Sequence, residues 1–439
     1  MAPPSRVGDD LRAFEAAGVD YCVLRNWEFL DGEPVDDDVD VLIPRDQRAA
    51  AEAVLDERGY RHNPGLSTRH DAYRAYDPEA DRLVTIDVAW DGPGYNGLPI
   101  LDAGRALDAR RKRAGVWVVG RETLFVELLF HAVLNKNGFD DRERYRETLR
   151  ELAPEVDREA VIDHAEALFG GVGRDAVRLA LDGEPERAVG LKWRLVAAGL
   201  RRRPGTVPVV GWNLLAYWQV VAPAKRANRR YNPFAATPTV VLLGPDGSGK
   251  TTIATALADW FDRQGVAVSI ARLGVYNGES IVMRAAKRVR NRLVGYDAEA
   301  VDEAKRAGEM ELGARNGPVK AWIHAADQGL RVMQARCAGA DLLIADRYAH
   351  DLYVHDRVGP VLGWLVDLTA RGPTYVYVLD AETETIAARS EFDAESVTEM
   401  RARLDAVDGT RVDVSGTPEE TLRALLYHLL TNTDLAGEL

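Results

Sequence analysis

Apolar positions recur with two different periods along the chain, and the period changes with position. In the first segment "DDLRAFEAAGVD" has helical spacing and closes on Gly18, and "RDQRAAAEAVLDERGY" predicts a second helix ending at Gly59. "YCVLR" and "VDVLIP" are short apolar runs that predict buried strands. "DAYRAYD" and "RLVTIDVAW" predict a hairpin turned at "PEAD". From residue 121 to 200 the spacing is helical throughout, beginning with "RETLFVELLFHAVLNKN". Residues 201–237 form a basic, proline-bearing connector that ends in "RRYNPFAATPT". Beyond it "TVVLL", "VSIAR", "DLLIAD", "TYVYVLD" and "TRVDVS" alternate with helical stretches, the pattern of a parallel sheet wrapped on both faces. The expected organisation is an α+β domain over 1–120, a helical extension over 121–200, the connector, and an α/β domain over 238–439.

Composition narrows this picture. A chain of 439 residues exceeds one compact core, and 46% hydrophobic with 28% charged residues is the balance of a globular protein. The net charge of -13 argues against bulk nucleic-acid binding through a basic surface, while leaving room for local arginines that hold phosphates. Cys22 and Cys337, far apart, form neither a disulfide framework nor a metal-ligand spacing, so a reducing cytoplasm is the expected location. The start, "MAPPSRVGDDLRAF", lacks the apolar core of a signal peptide. The most apolar run, "VPVVGWNLLAYWQVVAPA" from Val207 to Ala224, is interrupted by Gly211, Asn213 and Gln219 and falls short of the ~20 residues of a spanning helix. Arg201, Arg202, Arg203, Lys225, Arg226, Arg229 and Arg230 flank it. That pattern leaves two readings, a membrane-surface contact or an interdomain helix packed on a neighbour, of which the second is the commoner.

The chemistry is clearest at "VVLLGPDGSGKTT". Gly244, Gly249, Lys250 and Thr251 satisfy the G-x-x-x-x-G-K-[ST] pattern, with a β-branched strand before and the helix "TTIATALADWF" after. Glycines let backbone N–H groups close around phosphate oxygens, and the helix N-terminus adds its partial positive charge. Asp246, Gly247, Ser248 and Thr252 complete the loop. Lys250 is placed to reach the β- and γ-phosphates, and the Thr251 hydroxyl to sit on Mg²⁺.

"GPDGSGKTT", "LLIADRY", "TYVYVLDAETETIAARS" and "VDVSGTPEETLRALL", in that order, resemble the thymidylate kinase family of P-loop kinases over about residues 237–430. The resemblance implies a nucleoside monophosphate kinase fold with ATP and Mg²⁺ as cofactors and a mobile lid. It implies Asp346 as the acid that holds Mg²⁺ or the acceptor, Arg347 as the cation between donor and acceptor phosphates, Tyr348 in the acceptor pocket and Arg389 as an adenine-side or lid arginine. The chain departs from the family after the second strand, where "ARLGVYNGES" replaces an Arg-Glu-Pro-Gly segment and Arg272 stands in for the missing arginine. The lid segment "EFDAESVTEMRARLDAV" has few basic residues, whereas "IVMRAAKRVRNRL", from Arg284 to Arg292, is strongly basic.

"DGEPVDDDVDVLIP" carries a second constellation. Strand alternation points Asp38 and Asp40 the same way, about 6.5 to 7 Å apart, and two such carboxylates can hold Mg²⁺ against a nucleoside triphosphate. Asp87 lies mid-strand in the apolar run "VTIDVAW", where a carboxylate needs a partner. The set resembles the nucleotidyltransferase superfamily over about residues 8–100 and implies Asp38, Asp40 and Asp87 as metal ligands, with His131 and Lys136 near the site. The departure is at the Gly-Ser pair that precedes the acids in that superfamily, where this chain reads "VLRNWEFLDG" and offers Arg25 and Asn26 instead.

The sequence therefore predicts phosphoryl transfer from ATP to a nucleoside monophosphate, thymidylate being nearest, or to a related phosphorylated small molecule. The leading domain would serve the same nucleotide-sugar or polysaccharide supply. Three other readings stay open: a nucleotidyltransferase governed by a nucleotide-sensing P-loop domain, a nucleotide-gated switch without acceptor, and a membrane-associated assembly factor. Expected partners are a nucleotide, a small phosphorylated acceptor and, for self-association, a second copy in a homodimer.

Overall fold

In a computed structural model of the chain, the described residues are 6–31, 38–63, 70–139, 143–216, 237–272, 340–347, 374–390, 392–405 and 407–439. They fall into two compact units, one of Met1–Ala224 with Ala436–Glu438 and one of Lys225–Leu435 with Leu439. Tyr348, the basic stretch from Arg284 to Arg292, and the connector beyond Ala216 lie outside the described residues.

The leading unit is built on a mixed sheet that, among the described residues, has seven strands. In chain order they are β1 (Cys22–Val23), β2 (Val39–Ile43), β3 (Arg61–Asn63), β4 (His70–Asp77), β5 (Arg82–Trp90), β8 (Arg111–Arg113) and β9 (Val116–Val118). A separate two-stranded ribbon, β6 (Gly94–Tyr95) and β7 (Leu98–Pro99), intervenes. The sheet order is β3-β4-β5-β2-β1-β9-β8, with β2 parallel to β5 and β1 parallel to β9. The expected hairpin forms as β4 and β5, paired from His70↔Ala89 to Asp77↔Arg82.

Alternation decides which side chain meets which layer. Val39, Val41 and Ile43 of β2 and Ile86, Val88 and Trp90 of β5 join one core cluster with Val7, Leu11 and Phe14 of helix α1 (Arg6–Ala16) and Val54 and Leu55 of α2 (Arg48–Glu57). Leu42 and Ala89 point the other way, into a second cluster fed by α4 (Arg121–Phe130), α6 (Arg158–Phe169), α7 (Gly171–Leu181) and α8 (Lys192–Arg202). Short α3 (Ala103–Asp108) and α5 (Glu143–Leu152) flank this set. The stretch read as a helical extension thus shares a hydrophobic core with the sheet. Burial of the sheet's second face requires such a cover.

The helix expected over "RETLFVELLFHAVLNKN" keeps α-geometry only to Phe130. His131–Lys136 winds as a wider π-turn and ends at Asn137, whose φ of 60° is left-handed. Helix α9 (Val207–Ala216) closes the described part of this unit.

The second unit contains a parallel sheet, five-stranded among the described residues, of β10 (Thr239–Leu243), β11 (Val268–Arg272), β12 (Leu342–Asp346), β13 (Thr374–Asp380) and β14 (Thr410–Asp413). The order β11-β12-β10-β13-β14 puts the first strand in the middle, between β12 and β13. All five strand expectations are met, because β10 and β12 are continuous apolar runs buried on both faces. Helix Lys250–Arg263 follows β10 and buries Ile253, Leu257, Trp260 and Phe261. The segment read as a lid forms a helix, Ala394–Leu404, capped by Asp393 and tied to the end of β13 by the two-pronged Arg401–Asp380 pair at 2.7 and 3.1 Å. Helix Pro418–Thr431 starts with a reciprocal capping box between Thr417 and Glu420.

Candidate functional site

The loop from Gly244 to Gly249 joins the buried end of β10 to the helix that starts at Lys250. Two of its glycines are required by space. A Cβ on Gly244 would lie 2.6 Å from the Leu379 carbonyl oxygen of β13, and one on Gly247 would lie 2.8 Å from the Ile386 carbonyl oxygen, with φ at +91°. Ser248 is buried, and its hydroxyl has no hydrogen-bond partner among the described residues, an orphan of the kind that a phosphate oxygen satisfies.

Lys250 is 6% exposed and bends over this loop, donating to the carbonyl oxygens of Gly244 at 2.9 Å and Pro245 at 2.7 Å. Its ammonium also lies 3.7 Å from Asp246. Thr251 donates its hydroxyl to Asp346 at 2.6 Å. Asp346 ends β12 and is fixed there by the Leu242↔Asp346 register with β10, at the carboxyl end of the sheet where ligands gather. A hydroxyl and a carboxylate so joined fit Mg²⁺, which takes one or two protein oxygens beside substrate phosphates.

Arg347 follows Asp346 directly and has φ of 65°, a left-handed conformation costly for a residue with a Cβ. Its backbone N–H donates to Leu242 at 3.0 Å, and its guanidinium pairs with Asp246 of the loop. The strained residue therefore bridges the end of β12 to the Gly244–Gly249 loop. Thr252 lies exposed on the first helical turn. Arg389 is brought to different groups: it donates to the Val414 carbonyl at 2.9 Å, so the described geometry ties it to the chain after β14. Its neighbour Ser390 abuts Gly247.

In the leading unit, Asp40 and Asp87 are direct neighbours in the parallel register of β2 and β5, both on the face toward α4. Asp38, half-buried, stands just before β2. Arg25 takes both oxygens of Asp40, at 2.8 and 3.0 Å, and also reaches Glu127 of α4 at 2.5 Å. His70 lies 3.4 Å from Asp87, and His131 lies 3.7 Å from Glu127. Asn26, the other residue weighed as a phosphate contact, sits at φ 58°.

Burial dominates the electrostatics of this cluster. It pushes the Glu127 carboxyl up to about 7 against the pull of Arg25. It also raises Asp40, with Asp87 adding to the rise and Arg25 opposing it. For His70 burial favours the neutral ring, but the hydrogen bond and charge of Asp87 outweigh it and raise the value. Burial likewise opposes the charge on Arg25, and Glu127 and Asp40 more than restore it. Among the described residues no group of three or more His, Cys, Asp or Glu side chains is placed to hold a metal ion. Of the three acids expected as metal ligands, Asp40 and Asp87 are adjacent across β2 and β5, Asp38 stands just outside the strand, and the Arg25 guanidinium pairs with Asp40.

Glu127 and His70 were not anticipated. The signal for Glu127 was present: a lone acid within the apolar stretch "LFVELLF", where charge demands a partner. The partner, Arg25, is 102 residues away in sequence.

No family model matches the chain. A probable thymidylate kinase of Thermococcus kodakarensis is 30% identical over 148 residues, which is 32% of this chain and 65% of that protein. The chain thus spans 65% of the length of the curated relative it matches. Among solved structures, a thymidylate kinase of Ehrlichia chaffeensis aligns at 13% identity and a TM-score of 0.28, over 44% of this chain and 100% of that one. A thymidylate kinase of Candida albicans aligns at 15% identity and a TM-score of 0.31, over 45% and 92%. Part of the chain is therefore similar to a thymidylate kinase.

Proposed function

We propose that the second unit transfers the γ-phosphoryl group of ATP to a phosphorylated small acceptor, a nucleoside monophosphate with thymidylate as the nearest choice. The observation that carries this reading is the Thr251–Asp346 pair beside a loop in which Gly244 and Gly247 leave no room for a side chain. The partial similarity to a probable thymidylate kinase supports the acceptor class.

In this reading the backbone N–H groups of residues 246–250 and the Ser248 hydroxyl bind the β-phosphate. Lys250 exchanges the Gly244 and Pro245 carbonyls for oxygens of the β- and γ-phosphates. Thr251 and Asp346 would hold Mg²⁺, which would supply neutralisation of the phosphate charge. Arg347 turns from Asp246 toward the transferring group, and Asp246 is left to face the acceptor. The bond from the γ-phosphorus to the β,γ-bridging oxygen breaks as a bond to an acceptor phosphate oxygen forms, and ADP leaves. That oxygen is already ionised near neutral pH, so no general base is needed. Catalysis rests on positioning and charge neutralisation.

The Arg25 lock on Asp40 favours the kinase as the working half over the reading in which the leading unit is the enzyme and the P-loop a sensor. The test is the purified full chain with labelled ATP and a panel of nucleoside and sugar monophosphates. ADP release that requires one acceptor class is the expected result, and Lys250→Ala should lower it about 100- to 1000-fold. ATP hydrolysis indifferent to every acceptor would instead support a nucleotide-gated switch.

A further inference from the structure

Between Glu186 and Asp246 the sequence contains no acidic residue, although the chain as a whole carries a net charge of -13. Basic residues in the same interval stand at 187, 192, 194, 201–203, 225, 226, 229 and 230. The described part of this interval holds a second anomaly. Helix α9 reads VPVVGWNLLA and has no charged side chain. Val210 is 3% exposed and belongs to the core, and Leu214, one turn on, packs against the same cluster. The opposite side of an ordinary surface helix would be polar. Here it carries Trp212 at 70% and Leu215 at 57% exposure, with Val207 and Val209 beside them. Trp193 on α8 is 65% exposed. Tyr427 apart, these five are the large hydrophobic side chains exposed among the described residues.

We propose that α8 and α9 dock the protein on an anionic lipid surface. The outer side of α9 enters the boundary between headgroups and acyl chains, and exposed Arg201 takes lipid phosphate, joined by Arg202 and Arg203 as they exchange the Glu166 and Leu168 carbonyl oxygens, now at 3.1 and 3.2 Å, for phosphate oxygens. The physical fit is twofold. An apolar helix side with a tryptophan, next in sequence to a cluster of cations, is the composition of an interfacial helix, which lies in the membrane plane without crossing it. No helix among the described residues is long and apolar enough to span a bilayer. A second copy is the poorer occupant, because it would bring the same cations and no acid from this segment to meet them. Nucleic acid would use the arginines but gain little from Val207, Trp212 and Leu215.

The proposal is independent of the kinase reading, and its test needs no enzyme activity. The full chain is sedimented with vesicles of phosphatidylcholine alone and with vesicles that also contain phosphatidylglycerol. Binding to the mixed vesicles only, reversed as salt shortens the screening length from about 10 Å at 0.1 M to about 3 Å at 1 M, is expected. Each Arg→Gln change within 201–203 should lower partitioning about fivefold. The exposed-site variant W193S/W212S should lose binding while keeping its thermal transition. Three results overturn the proposal: no binding by the unmutated chain, equal binding to neutral vesicles, or a dimer in light scattering that W212S dissociates while vesicles are ignored. Retention on duplex DNA with no vesicle binding would assign the cations to nucleic acid and would equally refute it.

Discussion

Thr251 and Asp346, 95 residues apart in sequence, share a hydrogen bond of 2.6 Å across the mouth of the phosphate loop. The bond links the first turn of the helix after β10 to the last residue of the neighbouring strand, so sheet register fixes Asp346 beside β10 and the Gly244–Gly249 loop brings Thr251 to it. Asp346→Asn keeps the shape and removes the charge. It is expected to lower kcat about 100-fold and raise the Mg²⁺ concentration for half-maximal rate, whereas Thr251→Ser should retain most activity. Steady-state rates over a Mg²⁺ series check this; an unchanged Mg²⁺ dependence in Asp346→Asn would remove the carboxylate from the metal site.

Gly247→Ala tests the loop's close packing. Its Cβ would meet the Ile386 carbonyl oxygen and Ser390 at 2.8 Å, in a backbone conformation that side chains disfavour. Overpacking of this kind costs about 1–3 kcal/mol. Calorimetry should show ATP binding at least tenfold weaker, with a lower thermal midpoint. Binding of unaltered strength would mean that the loop rearranges freely.

Arg25→Met leaves the buried carboxylates of Asp40 and Glu127 facing each other without their cation. Breaking such a pair from one side costs roughly 3–5 kcal/mol, and neutralising both acids in R25M/D40N/E127Q should restore most of it. Urea unfolding followed in the leading unit measures both effects. Phosphoryl transfer per folded molecule should remain at the unmutated level in the triple variant, because none of these residues belongs to the phosphate loop.

The raised Glu127 carboxyl makes a signed prediction for pH. Its value moves from an ordinary 4.5 to about 7, so the folded protein holds this proton more tightly than the unfolded chain does. The associated stability is fully present below about pH 4.5 and is lost as pH rises through about 7. Glu127→Gln cannot titrate, and should flatten the pH dependence of unfolding free energy between those limits. A difference curve between the two proteins that shows no slope there would place the Glu127 proton outside that range.

Strand and helix assignments were legible wherever one local pattern sufficed. β10 and β12 announce themselves as unbroken apolar runs, and Gly18 and Gly59 mark helix ends by a left-handed backbone that a glycine adopts freely. The break at His131 was not legible, since "HAVLNK" continues the helical spacing while its winding changes. Nor was the environment of Asp40: the sequence offers several arginines, and only strand pairing selects Arg25.

By itself, then, the sequence determined that the glycine loop, Lys250 and Thr251 sit together between a strand and a helix, because they are consecutive and their geometry is local. It also placed Asp40 on a strand and marked Asp87 as a mid-strand carboxylate needing a partner. The tertiary structure alone decided what those partners are. Asp346 meets Thr251 through the middle position of β10 in its sheet, while Asp40 meets Arg25 and Glu127 through the packing of α4 on the other sheet. Contacts between residues distant in sequence depend on strand order and layer packing, and neither is written in any one segment.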